Sequence, residues 1–73
     1  MLDKFLHFLR RNDKDRALEL LYAWLWREVY YAANYILQDR HLAEEVTQET
    51  FLAAHRNLER LRDARKVKAW LIQ

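Results

Sequence analysis

Between positions 41 and 55 the chain gathers side chains capable of acid–base or metal chemistry: His41, Glu44, Glu45, Glu49 and His55. On a helix, His41 with Glu45 and Glu45 with Glu49 are i, i+4 neighbours, a spacing at which paired Glu and His side chains can ligate a di-metal centre. Such a centre needs a matching pair facing it from a second helix. The other long helical stretch offers only Glu19 and Glu28, and Glu28 falls off its apolar stripe. His7, His41 and His55 are too dispersed for a zinc spacing, and the absence of cysteine excludes thiolate sites and disulfides. Without glycine there is no Gly-rich phosphate loop. The expectation is a protein that is not an enzyme and holds no metal or cofactor, with its carboxylates solvated or used in recognition.

The cations point elsewhere. Arg60, Arg62, Arg65, Lys66 and Lys68 cluster, interrupted by Asp63, while acids concentrate between Glu44 and Glu49. Net charge is only +2, from 13 basic and 11 acidic residues, so any affinity for nucleic acid must rest on this local patch rather than on overall charge. A patch that neutralises phosphates loses affinity steeply with salt. A charge run is more often a solvated face, and composition alone does not choose between the two.

The elements that position these groups are helices. With 52% hydrophobic and 33% charged residues and no glycine or proline, the composition suits a small all-α domain. No apolar run reaches the length of a membrane span or a signal-peptide core, so the expected compartment is the cytoplasm. Leu2, Phe5, Leu6, Phe8 and Leu9 predict a short amphipathic helix to about Arg11. Asn12-Asp13-Lys14-Asp15 breaks the pattern and supplies N-cap oxygens. A long helix from about Asp15 to Leu37 follows, its inner stripe Leu18, Leu21, Tyr22, Leu25, Val29, Ala32, Ala33 and Ile36. A second row, Leu20, Trp24, Tyr31 and Tyr35, is either covered by the first helix or exposed as an aromatic strip for self-association or an inhibitor. Asp39 is the expected cap of the next helix, which ends near Leu58 to Leu61. Asp63 caps a last one from about Ala64. The fold expected is a three- to four-helix bundle forming one domain over residues 1–73.

The third helix carries the chain's most informative pattern. Ala43, Val46, Thr47, Thr50, Phe51, Ala54 and Leu58 form one broad, mostly apolar side. Glu45, Gln48, Glu49, Leu52 and Arg56 fall at i, i+3, i+4, i+7 and i+11 on another. A leucine amid polar groups on an outward stripe suits a docking surface, although single exposed leucines are common.

The run Ala43-Glu44-Glu45-Val46-Thr47-Gln48-Glu49-Thr50-Phe51 resembles the A-E-D-x-x-Q-E-x-F signature of region 2.2 in bacterial sigma factors, especially the extracytoplasmic-function (ECF) group. Leu21-Tyr22 through Val29, Ala33, Ile36-Leu37 and Asp39 resembles region 2.1, and Lys68-Ala69-Trp70-Leu71 resembles the R-A-W-L that opens region 2.3. The resemblance implies docking on the β′ clamp helices of core RNA polymerase through Glu45, Gln48, Glu49 and Leu52, with Arg40 and His55 at the rim. It also implies contact of Arg62, Arg65, Lys66 and Lys68 with promoter DNA, on the non-template strand at the minus-ten element, and an anti-sigma factor as a further partner. Trp70 would pack in the core rather than stack on a base. Leu42 departs from a common Asp, Glu45 from the usual Asp, and Val67 stands where many members have a Phe beside the DNA loop. The family's promoter-reading continuation and its region 4 are not among these residues, so the expectation is a region 2 unit, as a fragment or a naturally small protein. The alternative reading is a helical interaction module that self-associates or competes for polymerase without initiating transcription.

Overall fold

The computed structural model describes residues 1–72; Gln73, to which the last helix and the 1–73 domain were expected to run, lies outside the described residues. Four α-helices follow one another: α1 (Leu2–Arg10), α2 (Lys14–Leu37), α3 (Arg40–Asn57) and α4 (Val67–Ile72), with 3-10 turns at Leu58–Arg60 and Ala64–Lys66. Among the described residues there is no strand. Each start after α1 is set by an aspartate. Asp13 accepts the Arg16 N–H at 3.3 Å, Asp39 the Leu42 N–H at 3.1 Å, and Asp63 the Arg65 N–H at 3.0 Å, satisfying donors that a helix end leaves unpaired.

The turns are made without glycine. Asn12 and Gln38 take left-handed backbone conformations with φ of 57° and 55°, each costing on the order of 1 kcal/mol relative to glycine. Gln38 closes α2 by donating its backbone N–H to Asn34 at 2.8 Å and its side-chain amide to the Tyr35 carbonyl at 2.9 Å.

These turns fold α3 back antiparallel along α2, with Tyr22 against Phe51 and Asp15 beside His55. One contiguous core joins the helices. It is built from Phe5 of α1, Ala17, Leu18, Leu21, Leu25 and Val29 of α2, Phe51 and Ala54 of α3, Leu58, and Val67 and Leu71 of α4. Thr47, fully buried, returns its hydroxyl to the Ala43 carbonyl at 2.7 Å, which makes a polar side chain compatible with that interior.

The unequal lengths of the helices explain where the expected faces fail. At 1.5 Å per residue α2 is about 36 Å long and α1 only about 14 Å. The row splits between its two readings: Leu20 and Trp24 are half-buried against the core, whereas Tyr31 and Tyr35 are 65% and 81% exposed. Ile36, assigned to the inner stripe, is 76% exposed because neither α1 nor α4 extends to that end of the α2–α3 hairpin. Val46 is exposed for the same reason, and Tyr22 lies at the edge of the core rather than within it. Val67, at the position where many members of the resembled family have a Phe, is buried and holds α4 to the bundle.

Leu25→Ala is expected to lose about 2–5 kcal/mol of unfolding free energy in urea. Ile36→Ser should change it by less than about 0.5 kcal/mol, as expected for an exposed site. A large loss at Ile36 would mean that the tip of the hairpin is covered in solution.

Candidate functional site

Because α3 commits Ala43, Thr47, Phe51 and Ala54 to the interior, its 100° periodicity turns Glu45, Gln48, Glu49, Leu52 and Arg56 outward, and all five are exposed. Leu52, at 54%, is an apolar side chain held in water among polar neighbours. It opens onto a groove along the α2–α3 seam, lined by Asp15, Leu18, Glu19 and Tyr22 on one wall and Gln48, Phe51, Leu52 and His55 on the other. His55 Nε2 lies 3.0 Å from an Asp15 carboxylate oxygen, closing one end.

The structure therefore brings Gln48, Leu52 and His55 to one groove, with Glu45 and Glu49 beside them on the same outward face. Arg40 is not part of this group. It sits with Tyr31, Asn34, Tyr35 and Gln38 at the hairpin tip, about 22 Å from His55 along the helix axis. The α2 wall was missed by the sequence reading, which placed Tyr22 wholly in the core and used Glu19 only as a rejected metal ligand. The i, i+3 spacing of Glu19 and Tyr22 could have found it.

The basic residues form a second surface. A groove lined by Arg60, Leu61, Arg62, Asp63, Lys66, Ala69 and Trp70 lies between the end of α3 and α4. Two of the four candidate cations are already engaged: Arg65 with Asp63 at 3.2 Å, and Lys68 with Glu28 of α2 at 2.9 Å. Among the described residues Arg62 and Lys66 have no ion-pair partner, and neither does Arg60. Trp70 packs on the core while part of its ring remains accessible in this groove and in an adjoining one with Thr50, Asn57 and Arg60. Core packing, the role expected of it, thus coexists with an exposed edge.

The Asp63 carboxylate accepts side-chain and backbone hydrogen bonds from Arg65, which hold it below the usual aspartate range; Glu59 is lowered in the same direction by Lys14, whose ammonium lies 2.9 Å away. Lys14–Glu59 thereby ties the start of α2 to the turn after α3. No group of three or more metal-ligating side chains is assembled among the described residues. Nor is any helix among the described residues long and apolar enough to cross a membrane.

The family model for Sigma-70 region 2 matches residues 18–73, which takes in most of α2 together with α3 and α4 and leaves out α1. Neither a curated protein nor a solved structure matches the chain.

The Asp63 cap carries a pH dependence whose sign follows from the direction of its shift. A carboxyl held low in the folded state stabilises the fold above the ordinary aspartate range, and that contribution disappears as pH falls through it. Thermal melts of the wild type should therefore decline between about pH 5 and pH 2 more steeply than those of Asp63→Asn. Parallel curves would show that the Asp63–Arg65 contact contributes nothing in solution.

Proposed function

The chain belongs to the Sigma-70 region 2 family, and we propose that it works as a region 2 domain of the ECF type, with residues 1–73 as one such unit acting in the cytoplasm. A sigma-factor role in transcription initiation comes with that family, as do core polymerase and promoter DNA as partners. The finer reading is that α3 docks on the β′ clamp helices through Glu45, Gln48, Glu49 and Leu52, with His55 at one rim and Arg40 at a more distant one. The observation that carries it is the exposure of Leu52 among these polar side chains on a helix whose opposite side is buried. The carboxylates and the amide pair with basic groups of the partner, and Leu52 supplies the apolar anchor. An interface of this kind concentrates its energy in a few central side chains.

The basic groove would then face the promoter. Arg62 and Lys66 are the cations available for the phosphates of the non-template strand at the minus-ten element, with Arg65 and Lys68 joining after exchange of their intramolecular partners. The accessible edge of Trp70 beside them fits single-strand capture, which combines cations with an aromatic surface.

A second reading is supported by the tip of the hairpin, where Tyr31, Tyr35 and Ile36 are exposed together. A patch of that kind suits self-association or an inhibitory partner such as an anti-sigma factor.

Gln48→Ala/Glu49→Lys is expected to lose pull-down of purified core RNA polymerase, with an unchanged circular dichroism spectrum. Equal binding would remove α3 as the docking face. With the polymerase complex on a minus-ten single strand, Arg62→Ala/Lys66→Ala should lower the slope of log K against log salt by about 1.4, from roughly 0.7 per lost phosphate contact. An unchanged slope would place the DNA elsewhere.

A further inference from the structure

Tyr31, Tyr35 and Ile36 of α2 and Leu42 and Val46 of α3 are all exposed, and all lie near the link that joins the two helices. Helical spacing shows how they share a side. Glu28 holds Lys68 of α4, and Ala32 and Ile36 follow it at i+4 and i+8. On α3, Thr50 lines a groove with Trp70 and donates its hydroxyl to the carbonyl of Val46, one turn earlier, at 2.7 Å. Leu42 lies one turn before that. The side of the hairpin on which α4 lies therefore continues past α4 as Ala32, Ile36 and Val46, with Tyr35 adjoining. Tyr31 is braced by the edge of the Tyr30 ring at 5.5 Å. A surface held in this way loses little freedom on association.

Its centre carries no charge: from Val29 to Gln38 there is no acid, lysine, arginine or histidine. Its border carries both signs. Arg27 and Arg40 are the cations, with His41 beside them, and Asp39, Glu44 and Glu45 are the acids; among the described residues none of these is in an ion pair. A two-fold contact sets the same surface on both sides, so a surface of one sign repels itself, whereas a neutral centre in a mixed border matches its own copy. The area agrees. The five exposed side chains leave on the order of 500 Å². That is near the upper end of the patches on ordinary monomers, about 300–600 Å². It is also close to the roughly 600 Å² that each partner contributes to a small specific interface.

We propose that the tip of the hairpin is a two-fold contact with a second copy of this chain. Ile36 and Val46 pack across the axis, and Arg40 of each copy reaches Asp39 and Glu44 of the other. This rests on the second reading given above, the tip as an association surface, and commits it to one partner. Leu52 lies about 120° round α3 from Val46, so it stays outside the contact. An interface of this size gives a dimer that forms in the micromolar range.

The test is sedimentation equilibrium of the whole chain from about 1 μM to about 1 mM. The mean mass should rise from that of one chain toward twice that value. Ile36→Glu and Val46→Glu should each weaken association at least about tenfold, since each sets two like charges at the axis, while Leu52→Glu should stay within about twofold. Thermal melts check that each variant is folded. A wild type that remains single at the highest concentration overturns the proposal, and so does association that Leu52→Glu abolishes and Ile36→Glu does not. Melts of Ile36→Ser on the single chain then separate two failures. A small loss removes the second copy and keeps an open tip for an inhibitory partner. A loss as large as that of a core residue removes the tip as an association surface altogether.

Discussion

The antiparallel contact between α2 and α3 is the constraint on which the rest of the molecule depends. It fills the interior with Leu18, Leu21, Leu25 and Val29 on one side and Phe51 and Ala54 on the other. By claiming one face of α3, it determines which side chains of that helix are left in water. Glu45, Gln48, Glu49 and Leu52 are left exposed because Thr47 and Phe51 are buried. The tight connection at Gln38 and Asp39 fixes the register: a left-handed residue ends one helix and an aspartate oxygen begins the next. Sliding α3 by one residue would rotate its outward stripe by 100° and bury a carboxylate without a partner, at a cost of several kcal/mol.

Charge is spread unevenly over this frame. Glu19, Glu44, Glu45 and Glu49 lie on α2 and α3 together with Arg16, Arg27, Arg40 and Arg56, while Arg60, Arg62, Arg65, Lys66 and Lys68 gather around the start of α4. A domain with a net charge of only +2 thereby concentrates five of its cations in one place. Where the two sets do meet, they act structurally: Lys68–Glu28 and Lys14–Glu59 join α4 and the turn after α3 to α2. Such exposed pairs contribute little energy individually, and their larger effect is to hold Arg65 and Lys68 in intramolecular company while Arg62 and Lys66 stay open.

Much of this was legible in the residues. Asp39 and Asp63 announced two starts, and the run Asn12-Asp13-Lys14-Asp15 a third without singling out Asp13, because a capping carboxylate acts locally, within its own turn. The stripe from Leu18 to Val29 and the division of α3 into two faces followed from periodicity alone. What periodicity omits is how far a neighbouring helix extends. Ile36 and Val46 lie in phase with buried residues but beyond the reach of α1 and α4, so they remain exposed. Tyr31 and Tyr35 share a row with Trp24 and meet a different fate for the same reason. The α2 wall of the groove beside Leu52 was hidden by a related limit: Tyr22 reads as core on a single wheel, and only the placement of Phe51 shows that its ring is at the border.

The last helix has a consequence for the order in which the surfaces come into being. The described part of α4 is seated on the bundle through Val67 and Leu71. The α2–α3 hairpin, whose contacts are closed by a two-residue link, is the portion that assembles quickly. The exposed stripe of α3 needs only this hairpin for its placement. The cationic groove needs in addition that α4 be seated against the hairpin, since Lys66, Ala69 and Trp70 form one of its walls.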